Sequence, residues 1–223
     1  MEPASETIPF RLETPASILN GLIDLPAAPG ERPAVVICHG CEGFMEWGFF
    51  PYLATLLAAR GFVAVRFNLS GAGPQPGDEP ADLLAVLAAT GETLAPGRVD
   101  RRRLGLFGHG RGGGDALLAA ARDPWRDRVR ALVTWAAVAV AVADAGRLPP
   151  ALRAPWLIVH GAGDETVPVA EGRRLAAQAG GEKELLVIPG ASHTFGSRHP
   201  FAGPTPQLIQ ALNATQRWFR AHL

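Results

Sequence analysis

Apolar residues in this chain fall in short continuous runs separated by longer amphipathic stretches, the alternation expected of βαβ units around a mostly parallel sheet. Residues 6–12 and 16–24 read as two opening strands joined by a Thr14-Pro15 turn. Pro33 to Cys38 is apolar throughout, the pattern of a strand buried on both faces. Trp47 to Arg60 reads as a helix stopped by Gly61. Phe62 to Phe67 is the next strand, Asn68 to Gly77 a Gly/Pro-rich loop, and Asp78 to Thr90 a helix with an acidic first turn. Leu104 to Phe107 is a short strand that passes through a glycine cluster into an Ala/Leu-rich helix at Asp115 to Arg122. Further strands are predicted at Val129 to Ala136, Pro155 to His160 and Leu185 to Ile188, with helices at Val169 to Ala179 and Gln207 to Leu223. Neither a repeat nor a low-complexity linker interrupts this order, so a single domain over 1–223 is expected.

Composition narrows the functional classes. The 223 residues carry 21 basic and 21 acidic side chains, and the basic ones are dispersed except for Arg101-Arg102-Arg103, read as a solvated loop edge before a strand. No electrostatic footprint for nucleic acid or an anionic membrane is expected. Met1 to Phe10 lacks a basic region followed by an apolar one, and no apolar stretch is long enough to span a bilayer, so a cytoplasmic enzyme is the default expectation. Cys38 and Cys41 form a C-x-x-C pair. Cys38 closes the run Val35-Val36-Ile37 and should face the core as a small hydrophobe. A zinc site would need two more ligands, and His39 and His109 do not supply the paired spacing, so neither metal nor cofactor is expected.

In an open parallel sheet, reactive groups gather in the loops past the carboxyl ends of the strands. Four such loops carry polar residues of unusual type: His39-Gly40-Cys41-Glu42, Gly108-His109-Gly110-Arg111-Gly112, Gly163-Asp164-Glu165 and Ser192-His193. The second resembles the G-x-S-x-G nucleophile elbow of α/β-hydrolases, with Gly110 in the serine slot. The others resemble that family's oxyanion, acid and histidine loops, in the family's order. Compact size and the phrase Trp47-Gly48-Phe49-Phe50-Pro51-Tyr52-Leu53 are most similar to the dienelactone-hydrolase-like branch. The resemblance implies helices on both faces of the sheet. The short segment between residues 137 and 154 implies a minimal or absent cap and an open, shallow pocket.

Carried over by position, the resemblance implies His193 as the base, Asp164 as the acid that orients it, and the backbone N–H groups of Cys41 and Arg111 as oxyanion donors. It implies a small-molecule ester or lactone as substrate. Gly110 departs from the pattern: a residue without a side chain cannot form an acyl-enzyme. Three readings follow: an ester hydrolase scaffold, inactive or severely impaired; different chemistry at the same place, with the His193–Asp164 dyad activating water or Cys41 acting as nucleophile; and a non-catalytic ligand-binding module.

The remaining candidates have lesser expectations. Glu42 and Trp135 are candidate substrate-binding residues, the first as a carboxylate near the oxyanion loop, the second as a possible wall of an acyl pocket. His109 is expected to pack beneath the turn, and His160 to serve as a structural hydrogen-bonding group. Ser70 and Ser192 are rejected as substitute nucleophiles because neither lies in an elbow.

Overall fold

The computed structural model describes residues 6–40, 43–70, 79–138 and 152–223. Eight strands form one sheet: β1 (Glu6–Glu13), β2 (Ile18–Leu25), β3 (Arg32–Cys38), β4 (Val63–Phe67), β5 (Val99–His109), β6 (Val129–Trp135), β7 (Trp156–Gly161) and β8 (Lys183–Ile188). Their spatial order is β1-β2-β4-β3-β5-β6-β7-β8. The β1–β2 and β2–β4 pairs are antiparallel and all others parallel. The helices are α1 (Phe50–Ala59), α2 (Glu79–Glu92), α3 (Arg111–Ala121), α4 (Trp125–Arg128), α5 (Val169–Gln178) and α6 (Pro206–His222).

Side-chain alternation along β3 divides the core. Ala34, Val36 and Cys38 face the layer that includes Leu83, Val86 and Leu87 of α2 and Ala116, Leu117 and Ala120 of α3. Val35 and Ile37 face the opposite layer, with Leu53 and Leu57 of α1 and Leu208, Leu212 and Phe219 of α6. Both faces of the strand are therefore dry, which explains why its sequence shows no polar alternation. The edge strand β1 has one solvated face and does alternate.

Element boundaries differ from the sequence reading where local chemistry competes with period. The Arg101-Arg102-Arg103 run is the exposed first part of β5, which begins at Val99, and not a loop before the strand. Arg101 and Arg102 are exposed there and leave no apolar signature. Helix α3 begins at Arg111, four residues before Asp115, although Gly112, Gly113 and Gly114 are poor helix formers. Close packing requires them: a Cβ on Gly112 would strike the His39 carbonyl, and one on Gly113 would lie 2.8 Å from the Ala137 methyl. Helix α1 starts at Phe50 instead of Trp47, with Pro51 at its first turn, where a missing N–H costs nothing. The four residues of α4 are too short to produce a recognisable period.

Candidate active site

The turn from β5 into α3 places residue 110 above the carboxyl ends of the central strands. Gly110 has φ 56° and ψ −123°, a backbone region that strains any residue with a Cβ. Three hydrogen bonds hold the turn: the Gly110 N–H donates to the Trp135 carbonyl at 2.9 Å, and the Gly110 carbonyl accepts from Gly113 at 3.1 Å and Val138 at 2.9 Å. Gly108 and Gly112 allow the strand and helix to approach, since a Cβ on Gly108 would collide with the Gly112 carbonyl. Arg111 opens α3 directly after the elbow.

Asp164 lies in the loop after β7, its side chain fully buried. One carboxylate oxygen, Oδ1, accepts from the backbone N–H groups of Thr166 (2.9 Å) and Val167 (2.8 Å). The other, Oδ2, faces His193 Nδ1 at 2.9 Å. A carboxylate fixed by two amides presents its second oxygen in one direction, and that direction sets the orientation of the imidazole. With Nδ1–H donating to Asp164, the other ring nitrogen, Nε2, is directed at the elbow. An ideal Cβ on Gly110 would lie 3.3 Å from Nε2 and 3.7 Å from Cε1 of His193. Among the described residues outside glycine, Ala136 (φ 47°) and Phe195 (φ 55°) have positive φ, one beside the elbow and one two residues past His193. Strain held by surrounding structure commonly gathers where geometry has a task.

Three further histidines support this arrangement. His109 Nε2–H donates to the His193 carbonyl at 3.0 Å, and its ring packs edge-on against Phe49, with centroids 5.5 Å apart. Burial, then the nearby His193, lowers the His109 pKa to about 4. It is thus a neutral strut, more specific than simple packing beneath the turn. His160 is buried and its Nε2–H donates to the Val167 carbonyl at 2.9 Å, the structural role anticipated for it. His39 joins the oxyanion loop to the loop after β4: Nδ1–H donates to the Gly40 carbonyl (2.8 Å) and Nε2 accepts from Leu69 N–H (3.2 Å). Burial lowers its pKa. No local pattern around His39 announces the Leu69 contact.

Other candidates fall elsewhere. Trp135 has no exposed surface; its indole N–H donates to Thr215 Oγ1 at 3.0 Å and its rings pack on Phe49, Phe107 and Phe195. Its side chain is core instead of an acyl-pocket wall, while its backbone carbonyl anchors Gly110. Ser70 Oγ donates to Asp82 Oδ2 at 2.6 Å and Ser192 Oγ accepts from Gly196 N–H at 3.1 Å, both directed into local structure. Cys41 and Glu42 lie outside the described residues, as does most of the segment expected to leave the pocket uncapped. The buried Cys38 faces the core as expected. Among the described residues no group of three or more His, Cys, Asp or Glu side chains is placed to hold a metal ion, and no helix is long and apolar enough to cross a membrane.

A family model described as PET hydrolase-like matches residues 11–200. The chain belongs to the PET hydrolase-like family. A bis(hydroxyethyl) terephthalate hydrolase from Streptomyces coelicolor is 33% identical over 142 residues, covering 63% of this chain and 43% of that protein. The PET hydrolase-like chain thus spans less than half the length of this relative. Among solved structures, Est1E from Butyrivibrio proteoclasticus with ferulic acid bound superposes with a TM-score of 0.79 at 21% identity, covering 96% of this chain and 98% of that one. A dienelactone hydrolase from Anabaena variabilis ATCC 29413 gives 0.75 at 23% identity, covering 98% and 99%. At such identities the likeness concerns the fold, which is that of the α/β-hydrolases.

Proposed function

We propose that this chain is a carboxylic-ester hydrolase scaffold that retains its acid–histidine pair and has lost its nucleophile at Gly110, leaving it severely impaired in turnover while still able to bind small esters. One observation carries the reading: the Asp164-oriented imidazole of His193 holds Nε2 3.3 Å from the place where a Cβ on residue 110 would stand. A hydroxyl one bond further out would lie within reach of that nitrogen.

In a chain with serine at this position, Nε2 takes the hydroxyl proton as the oxygen attacks the ester carbonyl carbon. The carbonyl oxygen becomes an oxyanion, received by the N–H groups of Arg111 and Cys41 that position assigns to this task. The imidazolium, stabilised by Asp164, returns its proton to the departing alcohol, and water then repeats the sequence on the acyl group. Glycine offers no oxygen for the first step. Oxyanion donors and binding alone still accelerate hydrolysis by about 10³–10⁴ over water in enzymes stripped of a triad member.

A second reading rests on the same Nε2, whose ring is partly exposed, with 20% of the side chain accessible. It can take a proton from a water molecule, which attacks the ester directly and needs no residue at 110.

The test compares the parent with Gly110→Ser on p-nitrophenyl acetate and on bis(hydroxyethyl) terephthalate. The proposal expects hydrolysis by Gly110→Ser and little by the parent. A folded Gly110→Ser protein inactive on both esters and on a wider panel contradicts it. Parent activity that vanishes in His193→Ala favours the water mechanism, parent activity that vanishes in Cys41→Ala favours the thiol, and ester binding with no turnover in either protein favours recognition alone.

A further inference from the structure

At the opposite end of the sheet from Gly110, a cavity of about 720 Å³ opens where β5 and β6 begin, between the end of α2, α4 and the end of α6. Its apolar walls include Leu87, Leu104 and Trp125, all largely buried. Its rim is basic. Five arginines, 101, 102, 103, 128 and 130, face it with His222 against the acids Glu92 and Asp127, and Leu223 also lines it, its main-chain oxygen accepting from Arg103 Nη1–H at 3.5 Å.

These acids neutralise the rim only in part. Asp127 is engaged by Arg153 at 2.6 Å and by Arg126 at 3.8 Å, neither of which lines the cavity. Arg103 is paired with Asp100 at 2.7 Å, and Asp100 also accepts from the Arg102 backbone N–H at 3.0 Å. Arg101, Arg128 and Arg130 form no ion pair among the described residues. Two of the rim groups are braced. The Arg128 guanidinium lies 5.5 Å from the centroid of the Trp125 ring, and stacking of this kind leaves the N–H edge available. The Arg101 stem passes over Gly91, with Cγ 3.6 Å from an ideal Cβ there.

We propose that this cavity binds a small amphiphilic anion, a phosphate or carboxylate carried on an apolar body. The guanidinium forks suit either oxyanion, and Trp125 with its leucine neighbours suits the apolar part. A concave, apolar-walled site favours a small molecule over a polyanion, which needs an extended basic surface. The site stands apart from the acid–histidine pair, since the residues from Arg102 to His109 along β5 span about 20 Å. It therefore does not rest on the function proposed above.

The experiment is calorimetric titration of the full chain, at low salt, with phenyl phosphate, benzoate and inorganic phosphate. Phenyl phosphate or benzoate should bind saturably at one site per chain, and the stronger of the two identifies the anion class. Inorganic phosphate should bind more weakly than phenyl phosphate. In Arg128→Ala/Arg130→Ala, and separately in Arg101→Ala, affinity for the aryl anion should fall, by about tenfold or more in the double variant, with thermal unfolding still cooperative. Saturation by neither aryl anion overturns the proposal. So does equal affinity for inorganic and phenyl phosphate, affinity unchanged in both variants, or tight binding of a single-stranded oligonucleotide where the aryl anions fail.

Discussion

Replacing Gly110 with alanine adds a methyl group at a point where two costs meet. The backbone at φ 56°, ψ −123° is a conformation that costs a residue with a Cβ about 1–3 kcal/mol. The methyl also arrives 3.3 Å from His193 Nε2, and His193 has little room to retreat because Asp164 holds its Nδ1 at 2.9 Å and His109 holds its carbonyl at 3.0 Å. Weakening one of these bonds costs about 1 kcal/mol. Stiffening the unfolded chain offsets about 0.4–1 kcal/mol. The net loss is about 1–3 kcal/mol, or about 2–12 °C in Tm for a chain of this size. Gly30 supplies the control, since its φ is +86° and a Cβ there meets nothing within 4 Å. Gly30→Ala therefore carries a positive-φ cost without the imidazole contact. Thermal unfolding of the two variants should show the larger drop for Gly110→Ala, and His193→Ala added to Gly110→Ala should cost less than the sum of the single losses. A Gly110→Ala protein as stable as Gly30→Ala, with additive double-variant losses, would refute the placement of the imidazole over the elbow.

Acid sensitivity should trace partly to His109. Its folded pKa, near 4 against 6.5 for an ordinary histidine, means that the unfolded chain takes up a proton first as pH falls. Stability is unaffected above about pH 6.5 and declines toward pH 4 by about 3 kcal/mol from this group. Urea unfolding between pH 4.5 and 7.5 should show a shallower slope in His109→Gln, and identical slopes would remove the assignment. In the Gly110→Ser background, Asp164→Asn should lower kcat by orders of magnitude, about 10⁴ where the analogous change misaligns the tautomer, with fold intact by circular dichroism. A modest effect would show that His193 is oriented by something else. Asp24→Ala should cost about 3–5 kcal/mol in chemical denaturation, because it strands Arg66, whose Nε is 3.0 Å from the buried Asp24 Oδ2. A loss below about 1 kcal/mol would mean that the pair is solvated.

Much of the fold was legible because its period is strong. The continuous run at β3 and the alternation at β1 each follow from which faces water reaches. The site was legible at the level of loops: Asp164, His193 and Gly110 lie at strand ends whose order along the chain matches a known pattern, and the structure brings them together. What escaped was contact chemistry between distant loops. His39 meeting Leu69 N–H, and His109 meeting the His193 carbonyl, depend on backbone paths that no local pattern specifies. A strand-end aromatic such as Trp135 reads the same in sequence whether it lines a pocket or fills a core, so its full burial had no local signal. The arginine cavity was hidden because its members come from β5, α4 and β6, and the first three read as a loop edge.

The proposed chemistry turns on the direction of one nitrogen, His193 Nε2, toward residue 110. Incubating Gly110→Ser with an organophosphorus ester such as diisopropyl fluorophosphate and reading intact mass, then peptide mass, tests it most directly. One phosphoryl adduct per chain is expected, located at residue 110, absent from the parent and lost when His193→Ala is added. A folded Gly110→Ser chain that takes no adduct, or takes it equally well without His193, would contradict it.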